Sequence, residues 1–166
     1  MSRDASLLGA LAVAIADELD AAAAATSTLS GVQRAALNVI AQHHGCTIRD
    51  LADVLDMSHP GAVRLVDRLQ AEGFVERRPG PDARSVSLRL TAPGRRSWNR
   101  QRSARNVALE DLVAALPRPA RSAVREAASL LLTHLSTDDG RAASICRFCD
   151  ESECPQDRCP VALACP

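Results

Sequence analysis

Four cysteines near the carboxyl end of the chain have the spacing of a metal site. The segment "ICRFCDESECPQDRCPVALACP", residues 145–166, contains five of the chain's six cysteines. Two residues lie between Cys146 and Cys149. Cys154 and Cys159 follow, each after a further four residues. Four thiolates on one short segment are enough to hold a tetrahedral metal ion or an iron–sulfur cluster. These four cysteines are therefore the candidate metal ligands.

Zinc is the metal we expect, because one short segment with turns at its prolines supplies every thiolate. An iron–sulfur cluster is the alternative, since proline follows Cys154 and Cys159. Redox chemistry by thiols or disulfides without a metal, and a tail with no ligand, also stay open. Asp150, Glu151 and Glu153 are expected to raise the pKa of the thiols, which disfavours a simple reactive thiolate.

Arginines concentrate in the middle of the chain, although the net charge of the whole is zero. Residues 58–105 hold 11 arginines against four acidic residues, whereas residues 138–158 hold six acidic residues against three arginines. A basic middle and an acidic tail indicate a local surface that binds anions rather than a polybasic protein.

Composition favours a helical protein inside the cell. Hydrophobic residues make up 46% of the chain and aromatic residues only 2%, so the core must be built from Ala, Leu and Val. So few aromatics give little support to an aromatic-lined ligand pocket. The apolar run near the amino end is interrupted by Asp17, Glu18 and Asp20, which argues against a signal peptide or a membrane span. We therefore expect a cytoplasmic protein with reduced cysteines and no membrane partner.

The spacing of apolar residues predicts a mainly α protein with one small β-hairpin. Ser30, Thr47, Ser58 and Thr91 are predicted helix caps, and Cys46 is predicted to be a small core residue. Residues 136–144 are predicted to be a hinge before the tail. Helices are predicted over residues 4–25, 30–44, 47–56, 58–72, 92–115 and 119–136, with strands in "FVERR" and "SVSLRL".

A helix, a turn, a second helix and a basic hairpin, in this order, suit the recognition of duplex DNA. Arg64 and Arg68 lie one turn apart on the second helix, with the reach to contact guanine edges or phosphates. Ser58, His59 and Gly61 lie at the start of that helix, where close approach to DNA is needed.

The hairpin adds two more candidate DNA contacts. Arg77 lies on its first strand, and Arg84 near its tip can enter a minor groove, where the negative potential attracts a guanidinium.

Residues 47–96, "TIRDLADVLDMSHPGAVRLVDRLQAEGFVERRPGPDARSVSLRLTAPGRR", resemble the winged helix–turn–helix of the MarR family of bacterial regulators. The likeness rests on "LVDRLQAEGFVERRP", the "PDAR" wing and the "LRLTAPGR" exit together, and it extends over roughly residues 5–137. The resemblance implies a homodimer that binds a pseudo-palindromic operator, with Asp82 bracing Arg84. The tail lies outside the resemblance, which therefore gives no support for a metal.

These observations predict three regions. Residues 31–91 form a winged helix–turn–helix domain, residues 1–30 and 92–137 form an intertwined helical dimerisation region, and residues 138–166 form a cysteine-rich tail.

The predicted function is sequence-specific transcriptional regulation, most simply as a repressor released by a ligand, metal or redox signal. The expected partners are double-stranded DNA, a second copy of the chain and a small-molecule effector. The alternative is a helical protein–protein interaction module with a zinc-dependent docking tail. An enzyme is not expected, because no nucleophile–base set or phosphate-binding loop is visible.

Overall fold

The structure, a computed structural model, describes residues 2–80, 85–150, 154 and 156–165. These residues form helices with one two-stranded antiparallel hairpin, as the sequence predicted, and a short 3-10 turn at Gln156–Arg158. The predicted helix bounds agree with the structure to within two residues. In chain order the elements are α1 (Arg3–Ala24), α2 (Gly31–Gln42), α3 (Ile48–Val54), α4 (His59–Ala71), β1 (Val75–Pro79), β2 (Val86–Leu90), α5 (Ala92–Ala114), α6 (Arg118–Leu135), α7 (Asp139–Cys146) and α8 (Pro160–Ala164).

Reciprocal capping boxes begin α2 and α3. Ser30 Oγ accepts a hydrogen bond from Gln33 N at 3.4 Å, while Gln33 Oε1 accepts one from Ser30 N at 2.9 Å. Thr47 and Asp50 repeat the arrangement at 3.2 and 2.8 Å. Each box satisfies two backbone N–H groups that have no partner within the helix. The predicted caps at Ser30 and Thr47 are confirmed.

The core lies between α2, α3, α4 and the hairpin. Cys46 is 2% exposed, which confirms its prediction as a core residue. Its carbonyl accepts a hydrogen bond from Leu88 N at 2.7 Å, so β2 is joined to the residues that precede α3. The largest fully buried side chains are those of Leu37, Cys46, Leu51, Val66 and Leu69.

Helices α1, α5 and α6 leave large apolar side chains exposed. Helix α6 carries no buried residue, although its apolar positions recur at helical spacing. Among the described residues, no helix is both long enough and apolar enough to cross a membrane. The exposed residues are Leu7, Leu8, Leu11 and Val13 on α1, Val107, Leu112 and Val113 on α5, and Val124, Leu130, Leu131 and Leu135 on α6.

The predicted hinge over residues 136–144 is wrong, because most of it is helix α7. Asp138 Oδ1 caps this helix by accepting a hydrogen bond from Arg141 N at 2.9 Å, and the same bond lowers the pKa of Asp138. The segment "STDDG" was interpreted as a break, whereas Asp before a helix is also a strong cap. Helix α7 packs against α3, and α8 packs against α6, where Thr133 Oγ1 donates to Pro160 O at 3.5 Å.

Gly94 permits the start of α5 to contact the end of the α4–β1 connection. A Cβ at this position would lie 2.0 Å from Phe74 O. That carbonyl already accepts a hydrogen bond from Thr91 N at 3.0 Å, and Thr91 Oγ1 donates to Gly73 O at 2.6 Å. Thr91 Oγ1 also accepts from Gly94 N at 3.1 Å, which confirms the predicted cap. The angle between α5 and the hairpin is therefore set at this junction.

The Gly94→Ala substitution is expected to destabilise the protein by about 1–3 kcal/mol, because the added Cβ must displace a carbonyl rather than a flexible side chain. The measurement is urea unfolding followed by circular dichroism at matched protein concentrations. The control is Gly9→Ala, because a Cβ there meets nothing within 4 Å, and alanine favours a helix interior. If Gly94→Ala were as stable as the parent or more stable, the close contact at this junction would not be required.

Candidate nucleic-acid interface and cysteine cluster

A tight turn separates α3 from α4 and brings the start of α4 to the surface. Asp56 has a φ of 49°, and Met57 N donates to Ala52 O at 3.0 Å. Ser58 then caps α4, its Oγ accepting from Gly61 N at 3.3 Å. The predicted cap at Ser58 is therefore confirmed.

The first residues of α4 combine exposure with a close backbone contact. Ser58 and His59 are exposed and Gly61 is half-buried. A Cβ on Gly61 would lie 3.2 Å from Ser58 Oγ and 3.4 Å from Met57 Cε, so glycine keeps this turn compact. The positive end of the helix dipole lies at this start, and it favours a phosphate.

Helix α4 has one apolar face and one basic face. Arg64 and Arg68 are exposed. Within the described part of the chain, neither guanidinium has a hydrogen-bond or ion-pair partner. Both are thus available to a ligand outside the chain. The buried residues of the opposite face are Ala62, Leu65, Val66 and Leu69.

Arg77 joins β1 to α4. Its guanidinium donates to Asp67 Oδ1 at 2.7 Å and forms a second hydrogen bond with Gln70 Oε1. Asp67 and Gln70 lie on α4 beside Arg68. Arg77 was predicted only as a DNA contact, and the structure shows that it also fixes the hairpin against the exposed side of α4.

The hairpin projects from the core beside α4. Its strands pair from Val75 with Leu90 to Pro79 with Val86. Gly80 N donates to Ser85 O at 2.8 Å where the chain approaches the tip. The predicted tip residues Asp82 and Arg84 lie outside the described residues, and so do their predicted pairing and minor-groove contact.

An aromatic and basic cavity of about 350 Å³ lies between α1, α2, α5 and the tail. Trp98, the chain's only tryptophan, and Phe148, one of its two phenylalanines, line it. The low aromatic content gave little reason to expect such a pocket. The scarce aromatic residues are concentrated here because α5 and the residues after α7 come together at this point.

Four arginines and one carboxylate give this cavity a positive character. Arg34 pairs with Asp20 at 2.5 Å, and Arg102 lies over the Trp98 ring at 4.8 Å. Burial lowers the pKa of Arg105, which lies over the Phe148 ring at 5.3 Å. The charged residues that line the cavity are Asp20, Arg34, Arg102, Arg105 and Arg147.

The four candidate metal ligands lie around a second cavity, of about 240 Å³. Cys146 and Cys149 at the end of α7, and Cys154 and Cys159 before α8, all line it. In the residues described, no three His, Cys, Asp or Glu side chains are already placed to hold a single ion. Cys165 lies elsewhere, its Sγ donating to Ser136 O at 3.6 Å. The four thiols are thus gathered around one cavity.

The pKa values of two of these thiols are raised, as predicted, and hydrogen bonding and burial contribute to the rise. The hydrogen bond with Cys149, followed by burial, raises the pKa of Cys146. Burial, followed by the bond with Cys159, raises that of Cys154 to about 11.

The acidic residues were expected to cause this rise. Asp150 instead pairs with Arg102, Oδ2 to Nη1, at 2.7 Å, and it is not among the causes for either thiol. Glu151 and Glu153 lie outside the described residues.

Amide side chains of α2 hold the residues between the first two thiols. Asn38 Nδ2 donates to Arg147 O and to Cys149 O, both at 3.1 Å, while Asn38 Oδ1 accepts from Trp98 Nε1 at 2.8 Å. Gln42 Nε2 donates to Cys149 O at 2.5 Å. Sequence reasoning missed this docking. The available signal was Asn38 itself, a polar residue within the apolar run "AALNVI", because a buried amide needs partners.

Comparison with known families agrees with the geometry of α3, α4 and the hairpin. A family model described as MarR family matches residues 27–85. This part of the chain is therefore a MarR-family domain. A search among curated proteins gave no match.

Solved structures of MarR-type proteins share the fold. A mutant of MepR from S. aureus is 18% identical, with a TM-score of 0.71 over 81% of this chain and 99% of that chain. Apo MarR from E. coli is 21% identical, with a TM-score of 0.64 over 80% and 98%. FabT from Streptococcus pneumoniae, solved in complex with DNA, is 18% identical, with a TM-score of 0.61 over 65% and 76%. At these identities the likeness shows the fold alone.

Cys46 is expected to resist alkylation in the folded protein. Burial, with a smaller effect of the Asp50 charge, raises its pKa to about 12, so at pH 8 only about one thiol in ten thousand is ionised. Iodoacetamide labelling followed by peptide mass spectrometry should modify half-buried Cys165 more than roughly tenfold faster. The same reaction in denaturant is the control, where the two rates should converge. Equally fast labelling of Cys46 in the native protein would contradict its buried position.

Proposed function

We propose that this chain, in which residues 27–85 form a MarR-family domain, is a sequence-specific DNA-binding transcriptional regulator. The observation that carries the proposal is the exposed face of α4, where Arg64 and Arg68 have no partner within the described residues. The buried opposite face fixes the helix on the core, so these guanidiniums are presented on a rigid element. FabT, which shares the fold, is solved in complex with DNA.

Each part of the interface has a distinct role in this proposal. Arg64 and Arg68 contact guanine edges or phosphates in the major groove. The start of α4, with Ser58 and His59, lies against the phosphate backbone. Arg84 enters the adjacent minor groove, with Asp82 bracing it.

Arg77 contributes by fixing the distance between the hairpin and α4. Its bonds to Asp67 and Gln70 mean that both DNA-contacting elements move together. The side chain of Arg77 is 31% exposed, so the same guanidinium can also contact a phosphate.

The proposed assembly is a homodimer. Apolar side chains on α1, α5 and α6 are exposed in the single chain, and monomers rarely leave so much apolar surface uncovered. A second copy that covers these faces presents two α4 helices to DNA. Two-fold symmetry then calls for a pseudo-palindromic operator, whose half-sites lie about one helical turn apart.

As a cytoplasmic repressor, the dimer would occupy an operator and exclude the transcription machinery. Release requires an effector that binds the two conformations of the dimer with different affinity. The cavity lined by Trp98, Phe148 and arginines suits an aromatic or amphipathic anion. The cysteine cluster suits a metal or redox signal, and it lies at a different place in the structure from this cavity.

Arg68→Ala is expected to weaken operator binding by roughly 5- to 150-fold, since one bidentate guanine contact contributes about 1–3 kcal/mol. The operator is first obtained by selecting duplexes from a random library with the parent protein. Fluorescence anisotropy then gives the Kd for the selected duplex and for a scrambled one.

The matched control is Arg158→Ala, which removes the same charge from a side chain that is 79% exposed in the tail. Its Kd should equal that of the parent. If Arg68→Ala binds like the parent, or if no duplex is enriched by the parent, the DNA-binding proposal fails. The protein–protein interaction module then becomes the better account.

Leu131→Glu on α6 is expected to shift the protein from dimer to monomer, because it places a charge in the centre of the apolar stripe. Sedimentation velocity at several concentrations measures the shift. Ser122→Glu is the control, because it adds the same charge to the opposite, exposed side of the same helix. A dimer of unchanged affinity in Leu131→Glu would exclude this face from the interface.

A further inference from the structure

We propose that Cys146, Cys149, Cys154 and Cys159 bind one metal centre through four thiolates, and that this centre fixes residues 147–150 against α2 and α5. The chemistry is that of a thiophilic metal, either a single zinc ion or a two-iron cluster with two sulfides. The site requires no DNA and no second chain.

The arrangement of the thiols is the first argument. All four line one cavity, although the last lies 13 positions after the first. Two of them follow one another at the end of α7, and the other two lie before α8. Sulfurs that share a tetrahedral zinc lie roughly 3.8 Å apart, given a Zn–S bond of about 2.3 Å. A two-iron cluster instead takes one pair on each iron, with the pairs farther apart.

The two metals would use these thiolates differently. A two-iron cluster would accept Cys146 with Cys149 on one iron and Cys154 with Cys159 on the other. A zinc ion would take all four thiolates itself.

Binding converts four thiols to thiolates and releases their four protons to solvent. Zn²⁺ with four thiolates carries a charge of −2, as does an oxidised two-iron cluster with two sulfides and four thiolates. Arg147 lines the thiol cavity, and its positive charge can offset this negative charge. Arg105, which like Arg147 lies over the Phe148 ring, adds a second guanidinium.

Metal ligands are usually oriented by hydrogen bonds from neighbouring residues. Such hydrogen bonds are already present around this site. Asn38 and Gln42 donate to the carbonyls of Arg147 and Cys149. Arg102 pairs with Asp150 at 2.7 Å. The segment that carries the first two ligands is thereby fixed on two helices.

This segment also separates the two cavities. Arg147 lines both of them, while Phe148 lines only the arginine-rich one. A metal bound at the thiol cavity would therefore also hold part of the wall of the arginine-rich cavity in place.

The experiment measures metal in the full-length protein, purified without oxygen, by elemental analysis together with acid-labile sulfide. We expect about one zinc per chain, or about two irons with two sulfides. Cys149→Ser should retain less than about a tenth of this metal. Cys165→Ser is the matched control and should retain all of it, because Cys165 contacts Ser136 rather than the cluster.

A second measurement keeps the test valid if Cys149→Ser does not fold. The parent protein is freed of metal and titrated anaerobically with Co²⁺, whose thiolate charge-transfer absorption reports sulfur ligands directly. Saturation at one Co²⁺ per chain supports the site.

The positioning role of Gln42 has its own readout. Gln42→Ala removes one hydrogen bond to Cys149 O, and it should weaken Zn²⁺ or Co²⁺ binding by about 10- to 100-fold while the number of bound ions is unchanged.

Two results would overturn the proposal. One is a parent protein that contains no metal and takes up neither Zn²⁺ nor Co²⁺, nor ferrous iron with sulfide. The other is Cys165→Ser losing as much metal as Cys149→Ser. Neither result bears on operator binding, so failure here leaves the proposed regulator function to its own test.

Discussion

The side-chain amide of Asn38 joins the three parts of this molecule. It accepts a hydrogen bond from the Trp98 indole on α5 and donates to two carbonyls of the tail. The residue is 6% exposed, so losing either partner would leave a buried polar group unsatisfied, at a cost of about 1–3 kcal/mol. The DNA-binding domain, the long helix and the cysteine cluster therefore have one preferred relative position.

Two further junctions extend this constraint to the surface proposed to contact DNA. Arg77 holds the hairpin against α4, and the contacts of Thr91 and Gly94 with Phe74 hold the hairpin against the start of α5. A shift of α5 would thus be transmitted to α4 and the hairpin as one body. The arginine-rich cavity and the cysteine cluster both lie against α5 or α2, where a bound ligand would be able to bias such a shift.

Much of the DNA-binding half could be predicted from the sequence because its signals are local. Caps at Ser30, Thr47 and Ser58, and the apolar spacing of α4, each depend on residues within one or two turns. The tail docking could not be predicted, since Asn38 and Cys149 are 111 positions apart and only tertiary packing brings them together. The four cysteines were found from spacing alone, but the helices that surround them at one cavity needed the folded chain. The prediction at Asp138 was wrong for the opposite reason. Its signal is local, but an Asp is typical both of a loop and of a helix cap.

A metal bound at the tail is expected to change operator binding, because the contacts of Asn38, Arg77 and Gly94 join the tail and α5 to the hairpin and α4. The most direct test is the Kd for a single selected operator, measured in parallel with metal-loaded and metal-stripped protein at one salt concentration. The account predicts that the two Kd values differ by at least about fivefold, the lower end of typical coupling between sites. Equal Kd values, with full metal loading verified in the same samples, would contradict it.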